Sequence, residues 1–309
     1  MNLRTIRLGS PCALLFLAAA TSAAAQVEID KQQPAPAPGE VYIENYFGSI
    51  EVTGWEREVV RVTGRLAAGA EGIDVDSDED GVGIDVEVPE AWLYASESDD
   101  EYRSELTVQV PQGSSIYVET LNATIVIRGI QGHVDVETIN GPVTVEGDPR
   151  SVEIESMTGS VQVRARSAEM EVESISGPVD LAGVTKSVGV TTVSGSIRVR
   201  GEALEEVELE AVTGDVAFDG SFVAEGGLEL ETHSGNVELS LPADVKARFE
   251  CETFSGSIEN AFGAKPTREG RFHPFQQLRF STGLEEFTVQ IRTYSGNIAL
   301  RKRGAERRP

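Results

Sequence analysis

Residues 134–163 read VDVETINGPVTVEGDPRSVEIESMTGSVQV. Val134-Asp135-Val136-Glu137 and Val152-Glu153-Ile154-Glu155 are the same phrase written 18 residues apart. Each leads to a polar residue and a glycine, Asn140-Gly141 or Thr158-Gly159, and two places later to Val143 or Val161. The unit continues on both sides of this stretch. Its glycines are Gly141, Gly159, Gly177, Gly195, Gly214, Gly235, Gly256 and Gly296, at spacings of 18, 18, 18, 19, 21, 21 and 40 residues. The last interval is close to two periods. Asn122-Ala123-Thr124-Ile125 stands one period earlier with Ala in the glycine place, and Gly48-Ser49-Ile50 opens the series. A fixed period near 20 predicts stacked coils, none of which can bury its own apolar face alone.

Aligning the units on the glycine exposes the columns. Five places before it stand Ile43, Val118, Val136, Ile154, Val172, Val190, Leu209, Leu230, Cys251 and Ile291. Seven places before come Val41, Ile116, Val134, Val152, Met170, Val188, Val207, Leu228, Phe249 and Val289. Two places after come Ile50, Ile125, Val143, Val161, Val179, Ile197, Val216, Val237, Ile258 and Ile298. A spacing of two along a strand puts side chains on one face, so coils ~4.8 Å apart build continuous apolar ladders inside a tube. The predicted fold is all-β: a single-stranded, right-handed parallel β-solenoid (β-helix) with coils of about 18–21 residues and two main strands per coil. The inward places do not recur every six residues, which excludes a hexapeptide left-handed helix. An outer-membrane barrel needs strands of ~9–11 residues and aromatic girdles. Here strands run about five residues, aromatics are 6% and the chain ends on a basic tail. The repeat glycine is expected in a turn with positive φ, where a Cβ is costly.

Composition narrows the function. The 309 residues hold 26 Lys+Arg against 51 Asp+Glu, a formal charge of −25. That balance excludes a broad nucleic-acid surface, which needs clustered positive charge. The poverty in histidine and cysteine, three His and two Cys, leaves too few ligands for a structural zinc site. Residues 1–25 read as a secretory signal peptide: Arg4 and Arg7, an apolar run Ala13–Ala20, then Ala23-Ala24-Ala25. Its removal leaves Cys251 as the one cysteine, hence no intrachain disulfide. No later segment has the 18 apolar residues of a membrane anchor. Residues 26–39, centred on the polyproline-like QQPAPAPG at 32–39, are expected as a linker, residues 40–302 as one solenoid domain, and 303–309 as a basic tail.

The columns, with particular phrases, resemble the bacterial putative-adhesin family of β-strand-repeat domains. The phrases are Val41-Tyr42-Ile43-Glu44-Asn45, Gly48-Ser49-Ile50-Glu51-Val52-Thr53-Gly54-Trp55, Leu106-Thr107-Val108-Gln109-Val110-Pro111, Asn260-Ala261-Phe262-Gly263 and Ile291-Arg292-Thr293-Tyr294-Ser295-Gly296-Asn297-Ile298. The resemblance covers roughly residues 40 to 302. It implies a β-helix at the cell envelope with an adhesive role, and supplies no catalytic residue.

Several clusters are candidate sites. Four places before the glycine stand Glu44, Glu119, Glu137, Glu155, Glu173, Glu210, Glu231 and Glu252, and six before stand Asp135, Glu153, Glu171, Glu208, Glu229 and Glu250. They predict a ribbon of carboxylates that either keeps a long β-surface soluble or takes up divalent cations or a basic partner. Asp76, Asp78, Asp80, Gly81 and Glu87 match the calcium-loop pattern D-x-D-x-D-G-x5-E, and calcium is the one cofactor the sequence suggests. The flanks read as strands, so an acidic hairpin turn explains the same residues. The segment 263–280 reverses the charge, with Arg268, Arg271, His273 and Arg279 among Phe272, Phe275 and Phe280. It reads either as an anionic-ligand loop or as a flap packing its Phe side chains over an open edge of the solenoid. His233 shares a column with Ile139, Met157, Ile175, Val193, Val212 and Phe254 and is expected to pack, as is Cys251.

No nucleophile–base pair or phosphate loop is present, and the coils carry few insertions where an enzyme would place its groups. The sequence therefore predicts an exported, non-catalytic binding or adhesion module, periplasmic or on the surface, whose partner is an envelope or surface protein or a glycan. A structural envelope scaffold and a polysaccharide-active enzyme are the alternatives.

Overall fold

The structure, a computed structural model, describes residues 27–36, 38–78, 81–94, 102–269, 275–284 and 287–303. Residues 1–25, expected as a signal peptide, and those beyond Arg303 lie outside the described residues. Apart from one 3-10 turn, Glu90–Tyr94, the regular elements are strands. They form two parallel walls joined at the glycine corners. In the first wall His133–Asn140 pairs in parallel with Ser151–Thr158, Val134 opposite Val152 and Val136 opposite Ile154. The same 18-residue register carries on into Val161–Ser176, Val179–Ser194 and beyond. In the second wall Val143–Gly147 lies between Ile125–Arg128 and Val161–Ala165. All three columns read from the sequence are buried along their whole length, as one apolar core that includes Cys251. The Cys251 thiol is pushed up to about 12, first by burial and then by Glu250 and Glu252.

The glycine column is explained differently from the expectation. Gly141, Gly159, Gly177 and Gly214 have φ between 119° and 149°, but Gly195, Gly235, Gly256 and Gly296 lack a positive φ. What all eight share is close approach: a Cβ added at any of them would stand 1.8–2.1 Å from a backbone carbonyl oxygen one coil away. The corner strands run so near one another that only a hydrogen fits. Corner hydroxyls complete the turns, Thr253 Oγ1 donating to the Gly296 carbonyl at 2.8 Å.

Chain order and spatial order part company at both ends. The last coil does not stack outside the one before it. Phe287–Ser295 lies between the strand segment 227–234 and Ala247–Ser255, so Gly296 sits over Gly235 and Gly256 over Gly296. At the other end Glu40–Glu44 pairs with both Gly81–Glu87 and Ser115–Ile130, again one coil in from the edge. Antiparallel strands then cover the outermost edges. Gly72–Ser77 folds on Gly81–Glu87, and Phe275–Ser281 folds on Ala247–Ser255. In the second wall Val59–Leu66 pairs with Ser104–Pro111 and carries Val27–Pro34 outside it. Covered edges remove the open hydrogen-bonding rows that would otherwise recruit other chains. The segment expected as a linker is therefore a strand as far as Pro34, because its N–H and C=O groups finish this cap. Tail and body also meet later than expected: Arg303 ends the last strand and pairs with Asp219 at 2.7 Å and with Glu202.

Candidate functional site

On the outer face of the first wall, the residues between the buried ones stack in register. The rung order is Asp85, Glu44, Glu119, Glu137, Glu155 and Glu173, six carboxylates in succession. Thr191 then interrupts, before Glu210 and Glu231. The inserted last coil places Arg292 next, between Glu231 and Glu252, with its guanidinium 3.1 Å from Glu229 and 4.0 Å from Glu231. Arg279 reaches Glu252 at 3.3 Å. One end of the acidic ladder is thus laced with cations, while the other is carboxylate upon carboxylate.

The carboxyl groups register that difference. Burial, then Glu44, Glu87 and Asp74, hold the Asp85 carboxyl above the usual range. Burial, then Glu44 and Glu137, do the same to Glu119. Asp135 is raised chiefly by burial, with His133 opposing. Each shift says that the charged form lacks compensation in the fold. Here the surface is also concave. A cavity of about 440 Å³ is lined by Tyr42 and Tyr117, whose rings stack at 4.7 Å, and by Glu44, Asp74, Asp85 and Glu119. Aromatic faces with carboxylates around them are suited to cationic groups.

Beside the acidic ladder runs an apolar one. Ile139, Met157, Ile175, Val193 and Val212 are 41–50% exposed. The column continues through His233, Tyr294 and Phe254, whose rings stack at 4.9 Å and 4.9 Å, nearly parallel. His233, expected to pack, does so by stacking on Tyr294, on the exposed face of the wall. The column lies next to the glycine corner, one place out of phase with the inward residues, so period-two alternation turns it to solvent. Between the two ladders a groove of about 480 Å³ follows Glu119, Glu137, Glu155 and Glu173 on one side and Ile139, Met157 and Ile175 on the other.

A family model described as Toastrack DUF4097 matches residues 43–301, most of the chain. The chain belongs to the Toastrack DUF4097 family. Among solved structures, this toastrack chain is similar to a putative adhesin from Bacteroides fragilis NCTC 9343, at 9% identity and a TM-score of 0.45, covering 90% of this chain and 98% of that one. A putative cell adhesion protein from Clostridium sporogenes ATCC 15579 aligns at 8% identity and a TM-score of 0.31, covering 90% and 100%. A putative lipid binding protein from Parabacteroides distasonis ATCC 8503 aligns at 9% and 0.38, covering 88% and 96%. No curated protein matches significantly.

The toastrack fold distributes the expected site residues unevenly. Asp76 lies in the hairpin strand and Asp78 just past its end, where the Asp78 carboxylate accepts from the Gly81 N–H at 2.9 Å. Asp76 also lines the acidic cavity. Glu87 stands opposite Gly72, four rungs and roughly 13 Å from the Asp76–Gly83 rung. Asp80 lies outside the described residues. In the charge-reversed segment, Arg268 and Arg279 are exposed on the antiparallel strands that cap the stack. Phe280 lies flat on Phe249 at 4.6 Å, as a flap over an open edge would place it. Arg271 and His273 lie outside the described residues. The sequence reading missed the stacked Tyr42 and Tyr117, whose signal was there: both stand six places before the glycine position, in a column that six of the other coils fill with Asp or Glu. No helix among the described residues is long and apolar enough to cross a membrane.

Proposed function

We propose that this toastrack chain is an exported, non-catalytic binding and adhesion module of the bacterial cell envelope, with its coils wound as a right-handed solenoid. The observation that carries the reading is the exposed apolar ladder running beside the carboxylate ladder. A stripe of seven exposed apolar side chains and one imidazole exceeds the scattered exposure expected of a surface with no partner. Both ladders repeat along one axis, so the ligand that fits is extended: an envelope or surface polypeptide or glycan carrying cationic groups beside apolar ones. A leader like residues 1–25 supports export.

Protease shaving of intact cells that make an epitope-tagged chain tests the location. Digestion before lysis is expected; protection until lysis overturns surface adhesion. The binding face is tested on glycan and protein arrays with beads coated in the mature chain. The triple variant Ile139→Ser/Ile175→Ser/Val193→Ser should lose most retention while keeping the parent's circular dichroism. Unchanged retention would take binding off this face. Concentration-dependent oligomers that vanish in the same variant would favour the scaffold reading instead.

A further inference from the structure

We propose that His133, Asp135 and Glu153 form a binding site for a divalent metal ion of the zinc class, independent of any adhesive ligand. Strands His133–Asn140 and Ser151–Thr158 pair in parallel with Ser151 opposite His133 and Glu153 opposite Asp135. His133 and Asp135 are two residues apart and share the outer face, and Glu153 stands one coil along beside Asp135. Three potential ligands from two rigidly paired strands thus converge, with one imidazole nitrogen and two carboxylate oxygens all within 4.8 Å of one another.

The spacing is what distinguishes this cluster from an ordinary ion pair. His133 Nε2 lies 3.9 Å from Asp135 Oδ2 and 4.0 Å from Glu153 Oε2. A direct hydrogen bond would be about 2.7–3.2 Å, so the imidazole donates to neither. Ligand atoms around a tetrahedral zinc ion, at bonds of about 2.0–2.1 Å, stand roughly 3.3 Å apart. Closing the difference needs only side-chain rotation, because the backbone rungs already hold the residues together. The other ring nitrogen is occupied, with His133 Nδ1 at 2.8 Å from Ser151 Oγ. With Ser151 accepting from Nδ1–H, the lone pair is on Nε2 and faces the carboxylates. Such an outer-shell partner is the usual device that orients a metal-binding histidine.

The donor set selects the ion. One nitrogen and two carboxylates leave a fourth position for water, as in open zinc sites. Calcium prefers six to eight oxygens and gains little from an imidazole. Elsewhere in the stack the His133 place is taken by Ser151, Glu169, Ser187 and Glu206, so the neighbouring coils carry the acids without the imidazole. Among the described residues this is the one group with a histidine and two acids so placed.

Calorimetric titration of zinc chloride into the full mature chain tests the site, with cobalt(II) absorbance reporting the geometry. One ion per chain is expected, together with the intense visible bands of tetrahedral cobalt. His133→Ala and Glu153→Gln should each weaken zinc binding at least tenfold, and Ser151→Ala roughly tenfold by freeing the ring. His233→Ala and Glu208→Gln, on the same face but outside the cluster, should bind as the parent does. Unaltered metal-free circular dichroism separates loss of ligand from loss of fold. Absence of binding by the parent, or equal affinity in His133→Ala and the parent, overturns the assignment.

Discussion

Two apolar columns climb this stack within three residues of each other in every coil. The inner one, five places before the glycine, includes Val136, Ile154, Val172 and Val190, all essentially inaccessible. The outer one, two places before it, includes Ile139, Met157, Ile175 and Val193, all more than 40% exposed. Over these four coils their compositions are nearly interchangeable. An odd separation along an extended strand puts them on opposite faces, so one closes the core and the other is displayed to solvent. Hydrophobicity fixes which columns are apolar; phase against the pleat fixes which are hidden.

The hardest way to break that contrast is at the corner between the columns. Gly177→Ala places a Cβ 1.9 Å from the Gly159 carbonyl oxygen at a φ of 130°, so the backbone of two coils must separate. Chemical denaturation should show a loss of about 3 kcal/mol or more, beyond the backbone strain alone. Next comes the inner column itself. Ile154→Ala should cost about 2–4 kcal/mol, since closely paired strands on both sides cannot collapse into the space.

In the outer column the ring stack is the part with a folding role. Tyr294→Ala removes the ring between His233 and Phe254 and should cost about 1 kcal/mol in thermal or chemical unfolding. Ile175→Ser, beyond the rings, should stay within about 0.5 kcal/mol of the parent while lowering the binding of an apolar dye. A cost as large as that of Ile154→Ala would mean the outer column is buried after all.

The acidic ladder beside that column sharpens the contrast through pH. Burial and the neighbouring acids raise the Glu119 carboxyl above the ordinary glutamate value of 4.5. The native state therefore keeps this proton to higher pH than the unfolded chain does. Its contribution is most favourable below about pH 4.5 and is lost as pH rises through the raised native value. Glu119→Gln removes that penalty. The variant should melt above the parent at pH 7, with the advantage disappearing below pH 4.5. A parallel shift at all pH values would assign the change to packing instead.

The candidate site was legible in pieces. The acid columns could be read from the 18-residue period, because identical places in successive coils must meet. His133 could not be tied to Glu153 by that rule alone, since the two occupy different columns and become neighbours only through the size and direction of their side chains. Asp76 and Asp85 are nine positions apart in a hairpin; what brings both to one cavity is the docking of that hairpin beside Glu40–Glu44. The tyrosine floor of the cavity likewise comes from two segments 75 positions apart, Tyr42 over Tyr117.

By itself the sequence determined the coil: its period, its three inward columns, its glycine corner and the acidity of one outer face. Those features are local and repeat, so alternation and spacing suffice to state them. Only the tertiary structure decided the order of the coils. Nearly every inward place is Val, Ile or Leu, so Val289, Ile291 and Ile298 would fit on either side of the Phe249 coil. Covering the far edge of that coil with Phe275–Ser281 leaves its other edge open, and the last coil pairs there. That choice carries Arg292 into the acidic ladder and leaves the carboxylates at the opposite end without such a partner in their column. The charge pattern of the face, and with it the candidate site, is therefore set by how the ends of the stack are capped.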